Sequence, residues 1–198
     1  MHRNALVAAA VVLIAACSQE PAREDGSAHA PTPAPAPAEP TPADANALTA
    51  EGWGPLRIGM TRAEVEQALG GDDDPAVGGP EPEVCDQFRP ARAPEGLQVM
   101  IENGRLARIS LIREAALKTV DGYGLGATAS ELKAGLGARA VVTPHKYSQA
   151  PAEYVDVWYS QERSGDDIRL IRYEIGPDGR VSMIHAGGPA AMYVEGCA

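Results

Sequence analysis

Residues 56–70 recur without a gap as residues 123–137. Gly59 falls on Gly126, Thr61 on Thr128, Glu64 on Glu131, Val65 on Leu132, Leu69 on Leu136 and Gly70 on Gly137. A self-match of this kind constrains a fold more than composition does, because both copies must take the same local structure and bury the same face. Each matched position has a physical reading. Threonine followed three residues later by glutamate is a capping box, in which each side chain bonds the other residue's backbone N–H. Val65, Ala68 and Leu69 share one helical stripe, as do Leu132 and Leu136. A closing glycine suits the left-handed end of a helix. The two predicted helices are about two turns long, too short to persist alone, so each must pack on something.

Strands are predicted after each helix. Leu97, Val99 and Ile101 alternate with polar residues, Asn103-Gly104 marks a tight hairpin, and Ala107, Ile109 and Leu111 put apolar groups on one face of the return strand. In the second half Val155, Val157 and Tyr159 alternate, then Ile171, Tyr173 and Ile175. Pro177-Asp178-Gly179 makes a turn, and residues 181–184 form the return strand. The hairpin exits match as well, Asn103-Gly104-Arg105 against Asp178-Gly179-Arg180. Capped helices and hairpins are common enough to coincide singly; two matched features in the same order favour duplication. The expected fold class is α+β: a tandem repeat, about 54–113 and 120–186, of a short helical element plus antiparallel hairpin strands forming one sheet.

Gly59-Met60-Thr61 before a short helix ending in Leu69-Gly70, followed by strands with an Asn-Gly-Arg or Asp-Gly-Arg turn, is similar to the SmpA/OmlA-type outer-membrane lipoproteins. Two such units in tandem resemble the beta-lactamase inhibitor protein fold. The resemblance covers roughly residues 54–186 and implies helical elements packed on antiparallel strands that join into one curved sheet. The second unit departs from it at Ala127, which stands where the first has Met60. No inhibitory contact residues are recognised, so inhibition of a lactamase is not carried over.

The amino terminus reads as a signal peptide, residues 1–16. Arg3 supplies one positive charge, and an apolar run from Ala5 to Ile14 follows, well short of the ~20 residues needed to span a bilayer. An ordinary secretory signal or a short uncleaved anchor shares these traits. Leu13-Ile14-Ala15-Ala16-Cys17, with small residues directly before the cysteine, resembles the lipobox of bacterial lipoproteins. That resemblance implies diacylglycerol and palmitate-type acylation at Cys17, more than one chain being needed for durable anchoring. Ser18 resembles the residue of outer-membrane lipoproteins, so an outer-membrane anchor facing the periplasm is expected. Residues 17–49 are dominated by proline and alanine, which favour an extended polyproline II tether over helix or sheet. Residues 50–198 are the size of one domain.

Charge excludes one class of function. Residues 51–198 carry 22 acidic and 15 basic side chains, net −7, with no basic stripe, so nucleic acid is not an expected partner. With Cys17 taken by lipid, Cys85 and Cys197 remain, an even pair that in an oxidising compartment is expected to form a disulfide, two separate thiols being the alternative. Neither belongs to a Cys-x-x-Cys pair, and no metal site is expected.

Catalytic signatures are missing: there is no Gly-x-Ser-x-Gly elbow and no phosphate-binding glycine loop. His145 and His185 read as loop or strand-surface residues, and Asp72-Asp73-Asp74 as a solvated turn. The strand around Val155 is more informative. Tyr154, Asp156 and Trp158 lie in opposite phase to Val155 and Val157 and form either an exposed binding face or a second core layer. These features describe a non-catalytic protein-binding or envelope-assembly module with a protein partner and no cofactor. An enzyme with scattered catalytic residues is the alternative.

Overall fold

The computed structural model describes residues 46–74 and 81–197. The signal segment 1–16, Cys17 and the tether as far as residue 45 lie outside the described residues. Among the described residues, packing extends ahead of the expected domain start at residue 50. Leu48 is fully buried, its N–H donates to Lys118 O, and its own carbonyl accepts from Val120 N.

Thr61 and Thr128 open the two helices, α1 (Arg62–Leu69) and α2 (Ala129–Leu136). Thr61 Oγ1 accepts from Glu64 N at 3.3 Å, and Thr61 N donates to the Glu64 carboxylate at 2.7 Å. Thr128 and Glu131 form the same two bonds at 3.2 and 3.1 Å. These hydrogen bonds favour the ionised form and hold both carboxyls below their ordinary range. Gly70 and Gly137, at φ 87° and 55°, end the helices in conformations that favour glycine. Each helix buries two side chains, Val65 and Leu69 in α1 and Leu132 and Leu136 in α2. At ~1.5–3 kcal/mol apiece, this burial outweighs a cap of ~1 kcal/mol, so packing holds these short helices.

A small hairpin, β1 (Gly52–Trp53) and β2 (Leu56–Arg57), precedes α1. The main sheet contains β3 (Cys85–Phe88), β4 (Leu97–Glu102), β5 (Arg105–Leu111), β6 (Val141–Pro144), β7 (Glu153–Trp158), β8 (Leu170–Ile175) and β9 (Val181–Gly187). The order is β3-β4-β5-β9-β8-β7-β6, with antiparallel neighbours throughout. The hairpins β4–β5 and β8–β9 therefore meet at the centre, where Ile109 faces Ala186 and Ser110 faces His185.

The sequence reading places Ala107 on the inward face of β5; the structure places Leu106 there. Met100 faces Arg108 but Ile101 faces Leu106, so Ala107 is the extra residue of a β-bulge that resets the alternation. In β9 Ser182 is the extra residue, between the pairs Glu174 with Met183 and Ile175 with Val181. Each bulge follows its turn glycine by the same interval. Short contacts tie each hairpin to the loop before its helix. Gly59 N donates to Leu106 O and Gly126 N to Val181 O, both at 2.8 Å. The Arg105 guanidinium reaches Gly59 O at 2.9 Å, and that of Arg180 reaches Gly126 O at 2.8 Å.

One face of the sheet packs on the helices. Val99, Ile101, Ile109, Val155, Val157, Ile171, Tyr173 and Ile184 share a core with Val65, Leu69, Leu132 and Leu136. Asp121, in the segment between the halves, ties this layer together. It accepts hydrogen bonds from Tyr159 OH and from Tyr173 OH (3.3 Å), and pairs with Arg139 at 2.8 Å. Burial, with the neighbouring Asp121 charge, pushes both tyrosine hydroxyls above their ordinary range.

Candidate functional site

The residues in opposite phase to this core form the sheet's second face. Because the register aligns them, Ser110 of β5, His185 of β9, Arg172 of β8 and Asp156 of β7 stand side by side in one row across four strands. Arg108 lies two residues along β5 from Ser110, and Tyr154 and Trp158 flank Asp156 on β7. After β9 the chain turns at Gly187 and Gly188, forms a 3-10 turn over Pro189–Met192, and crosses this face as far as Cys197.

Two arginines hold that C-terminal strap. Arg108 donates to the carbonyls of Ala190 (3.2 Å) and Tyr193 (3.1 Å), and to the Gln87 side chain at 2.5 Å. Arg172 donates to Met192 O at 2.9 Å and makes a bidentate pair with Asp156 at 2.8 Å on both arms. Its guanidinium also lies 4.6 Å over the Tyr154 ring. The strap's apolar anchor is small: Ala191 against Ile168 and Leu170, with half-buried Trp158 and Met192 beside it. The Sγ atoms of Cys85, on edge strand β3, and Cys197 are bonded and close the strap's far end.

The expected pair Cys85 and Cys197 is thus brought together. Tyr154, Asp156 and Trp158 do share a face, as their phase implies, but that face is not open. Tyr154 is 4% exposed and Asp156 3%, while Trp158 is half-buried. The strap packs on Trp158, Arg172 and the His145 ring cover Tyr154, and the Asp156 charge is neutralised by Arg172. His185 is likewise no surface residue. It is buried, with Nδ1 2.8 Å from Ser110 Oγ. Burial, reinforced by the Arg108 and Arg172 charges, lowers its pKa to about 3. Burial also lowers Arg108 to about 10. His145 accepts from the N–H groups of Tyr147 and Ser148 through Nδ1, which leaves Nε2 to face Glu174 at 3.3 Å. Its ring stacks on Tyr154, 4.7 Å between centroids.

Arg108, Ser110 and Arg172 were not singled out by sequence reasoning, and His185 was read as a loop or strand-surface residue although it is buried. A charged residue between two apolar ones, such as Arg172 between Ile171 and Tyr173, reads as the solvent side of a strand. The one signal present was that four polar strand residues stand in phase with Tyr154 and Trp158. Elsewhere, Asp72, Asp73 and Asp74 border a cleft of about 370 Å³ that also contains Arg89 and Arg113. Asp73 is paired with Arg89 at 3.2 Å. Among the described residues, no group of three metal-ligating side chains is placed to hold an ion.

The buried histidine makes stability depend on pH with a defined sign. Its folded pKa of about 3 lies below the ~6.5 of an unfolded chain. The unfolded state therefore binds the extra proton between those values. The stabilising contribution is complete above pH ~6.5 and is lost as pH falls toward 3. We expect the urea midpoint to decline over that window, and the decline to be shallower in His185→Asn. Equal slopes for the two proteins are the contrary result.

Comparison with protein-family models, with curated proteins and with solved structures finds no match to this chain.

Proposed function

We propose that the chain is an outer-membrane lipoprotein, anchored through Cys17 and facing the periplasm, whose folded domain is a non-catalytic protein-binding or envelope-assembly module. The domain would be a tandem duplication of the kind seen in beta-lactamase inhibitor protein-like and SmpA/OmlA-like folds. Support for the duplication is local: matching capping boxes, matching arginine bonds from Arg105 and Arg180, and bulges at the same offset from each turn. The disulfide supports an oxidising compartment.

The observation that carries the binding reading is how the polar face spends its groups. A general base near neutral pH needs a proton affinity matched to its task. His185, at about 3, is far below that, and Asp156 is committed to both arms of Arg172. What the face does offer is guanidinium donors, already engaged with main-chain carbonyls. Such groups recognise a peptide rather than transform a substrate.

Two measurements test the reading. Fatty-acid labelling should mark the wild type and disappear in Cys17→Ser. A photo-crosslinking residue at position 163, whose native arginine lies over the Trp158 ring at 5.8 Å, should give discrete adducts in cells, and one at exposed Ser130 of α2 should not. Unlabelled wild type overturns the anchor. Equal adduct patterns at the two positions, or turnover of a substrate that survives in Asp156→Asn only at reduced rate, overturns the binding module.

A further inference from the structure

The strap is an incomplete occupant of the face it covers. Three buried polar groups of this face find no partner among protein atoms: Arg108 Nε and Trp158 Nε1, whose residues touch the strap, and Tyr154 OH, whose ring lies under Arg172. Buried donors without acceptors are uncommon and costly. Arg108 is 4% exposed, and its bonded partners are two carbonyls and an amide oxygen, with no carboxylate. The strap contributes only two buried apolar residues, Ala190 and Ala191, both small. Main-chain recognition by Arg108 and Arg172 does not depend on the strap's own side chains, so another chain presenting carbonyls in the same turn could replace it.

The far end of the strap is held covalently but accessibly. Cys85 and Cys197 are both half-buried and line an open cleft of about 640 Å³, with Lys146 and Tyr193 on its walls. From these observations we infer that the second sheet face is a binding site for a carbonyl-presenting peptide turn of a partner, occupied in cis by residues 188–197 and locked by the Cys85–Cys197 disulfide. This deepens the binding-module reading and rests on it.

Unlocking is thiol–disulfide exchange with an external dithiol. Its thiolate attacks one sulfur of the pair, forming a mixed disulfide, and its second thiol resolves that bond. The dithiol leaves as a disulfide, oxidised by two electrons, and Cys85 and Cys197 take up the two protons. The strap then pivots at Gly187 and Gly188, and the partner's carbonyls take the places of those of Ala190, Met192 and Tyr193.

The test uses the full chain and, as probe, a labelled synthetic peptide copying residues 188–195. Fluorescence anisotropy should show at least ten-fold tighter binding to the dithiothreitol-reduced chain, and to Cys197→Ser, than to the oxidised chain. Hydrogen exchange at the amides of Ala191 and Tyr193, which bond Gly188 O and Ala190 O, should quicken at least ten-fold on reduction while β8 amides stay protected. Adding Arg108→Gln to Cys197→Ser should abolish peptide binding. If loss of the disulfide unfolds the sheet, Ala191→Glu with the disulfide intact should loosen the strap's apolar anchor, quicken exchange at Tyr193 and give a smaller gain in peptide affinity, because the far end stays bonded; no gain at all overturns the inference. Unchanged exchange at 191 and 193 in a folded reduced chain, or equal peptide affinity in both redox states, overturns the inference. Adducts from position 163 that are indifferent to reduction would leave the binding module standing while this site fails. Peptide binding without any cellular adduct would do the reverse.

Discussion

Asp156→Ala is expected to destabilise the domain by ~3–5 kcal/mol, the cost of leaving a buried charge without its partner. Arg172 places Nε and Nη2 each 2.8 Å from an Asp156 oxygen, and both side chains are buried. With the carboxylate gone, the guanidinium keeps Met192 O and the Tyr154 ring but has no negative charge beside it. The pair itself contributes much less than that loss, because desolvating two ions offsets most of their attraction. Asp156→Leu combined with Arg172→Met should therefore recover most of the stability lost by Asp156→Ala alone. Urea denaturation of the three proteins measures this. A single-mutant loss under 1 kcal/mol would show that water reaches the pair and that the strap does not seal it.

Removing the disulfide by Cys85→Ala with Cys197→Ala should cost ~4–5 kcal/mol on the chain-entropy account. The cysteines are 112 residues apart, so the bond closes most of the folded chain into one loop and strongly restricts the unfolded ensemble. It also joins edge strand β3 to the terminal strap, so its loss should be felt locally before global unfolding, as faster exchange at residues 191 and 193. Comparison of oxidised wild type with the double variant in guanidinium gives the global term. A change below 1 kcal/mol would mean that Arg108 and Arg172 retain the strap by themselves and that the unfolded chain is already compact.

Both expectations depend on a layer only partly legible in the residues. The local elements were legible. Thr61 with Glu64, and Thr128 with Glu131, announce helix starts because capping is a contact between residues three apart. Asn103-Gly104 announces its hairpin because both residues take positive φ, 50° and 75°. The alternation of Val155 and Val157 against Tyr154, Asp156 and Trp158 correctly separated two faces of β7, and parity correctly paired Cys85 with Cys197. Strands β3 and β6 were missed. Cys85–Phe88 has polar residues at its centre, and Val141–Pro144 is a largely exposed edge, so neither carries a strong alternating signal.

What tertiary structure decided is which polar residues leave water. Arg108, Asp156, Arg172 and His185 have the spacing of a solvated strand face, and each is nevertheless buried. Local sequence determines which side of a strand a residue points to, since that depends only on the period of two along the backbone. It does not determine what lies above that side. Here the covering element is a terminal segment far along the chain from β5 and β7, held by carbonyl groups that every residue type possesses. Contacts made through the main chain leave no residue-type signature, so the burial of this charged row, and the lowered pKa of His185 that follows from it, could come only from the folded chain.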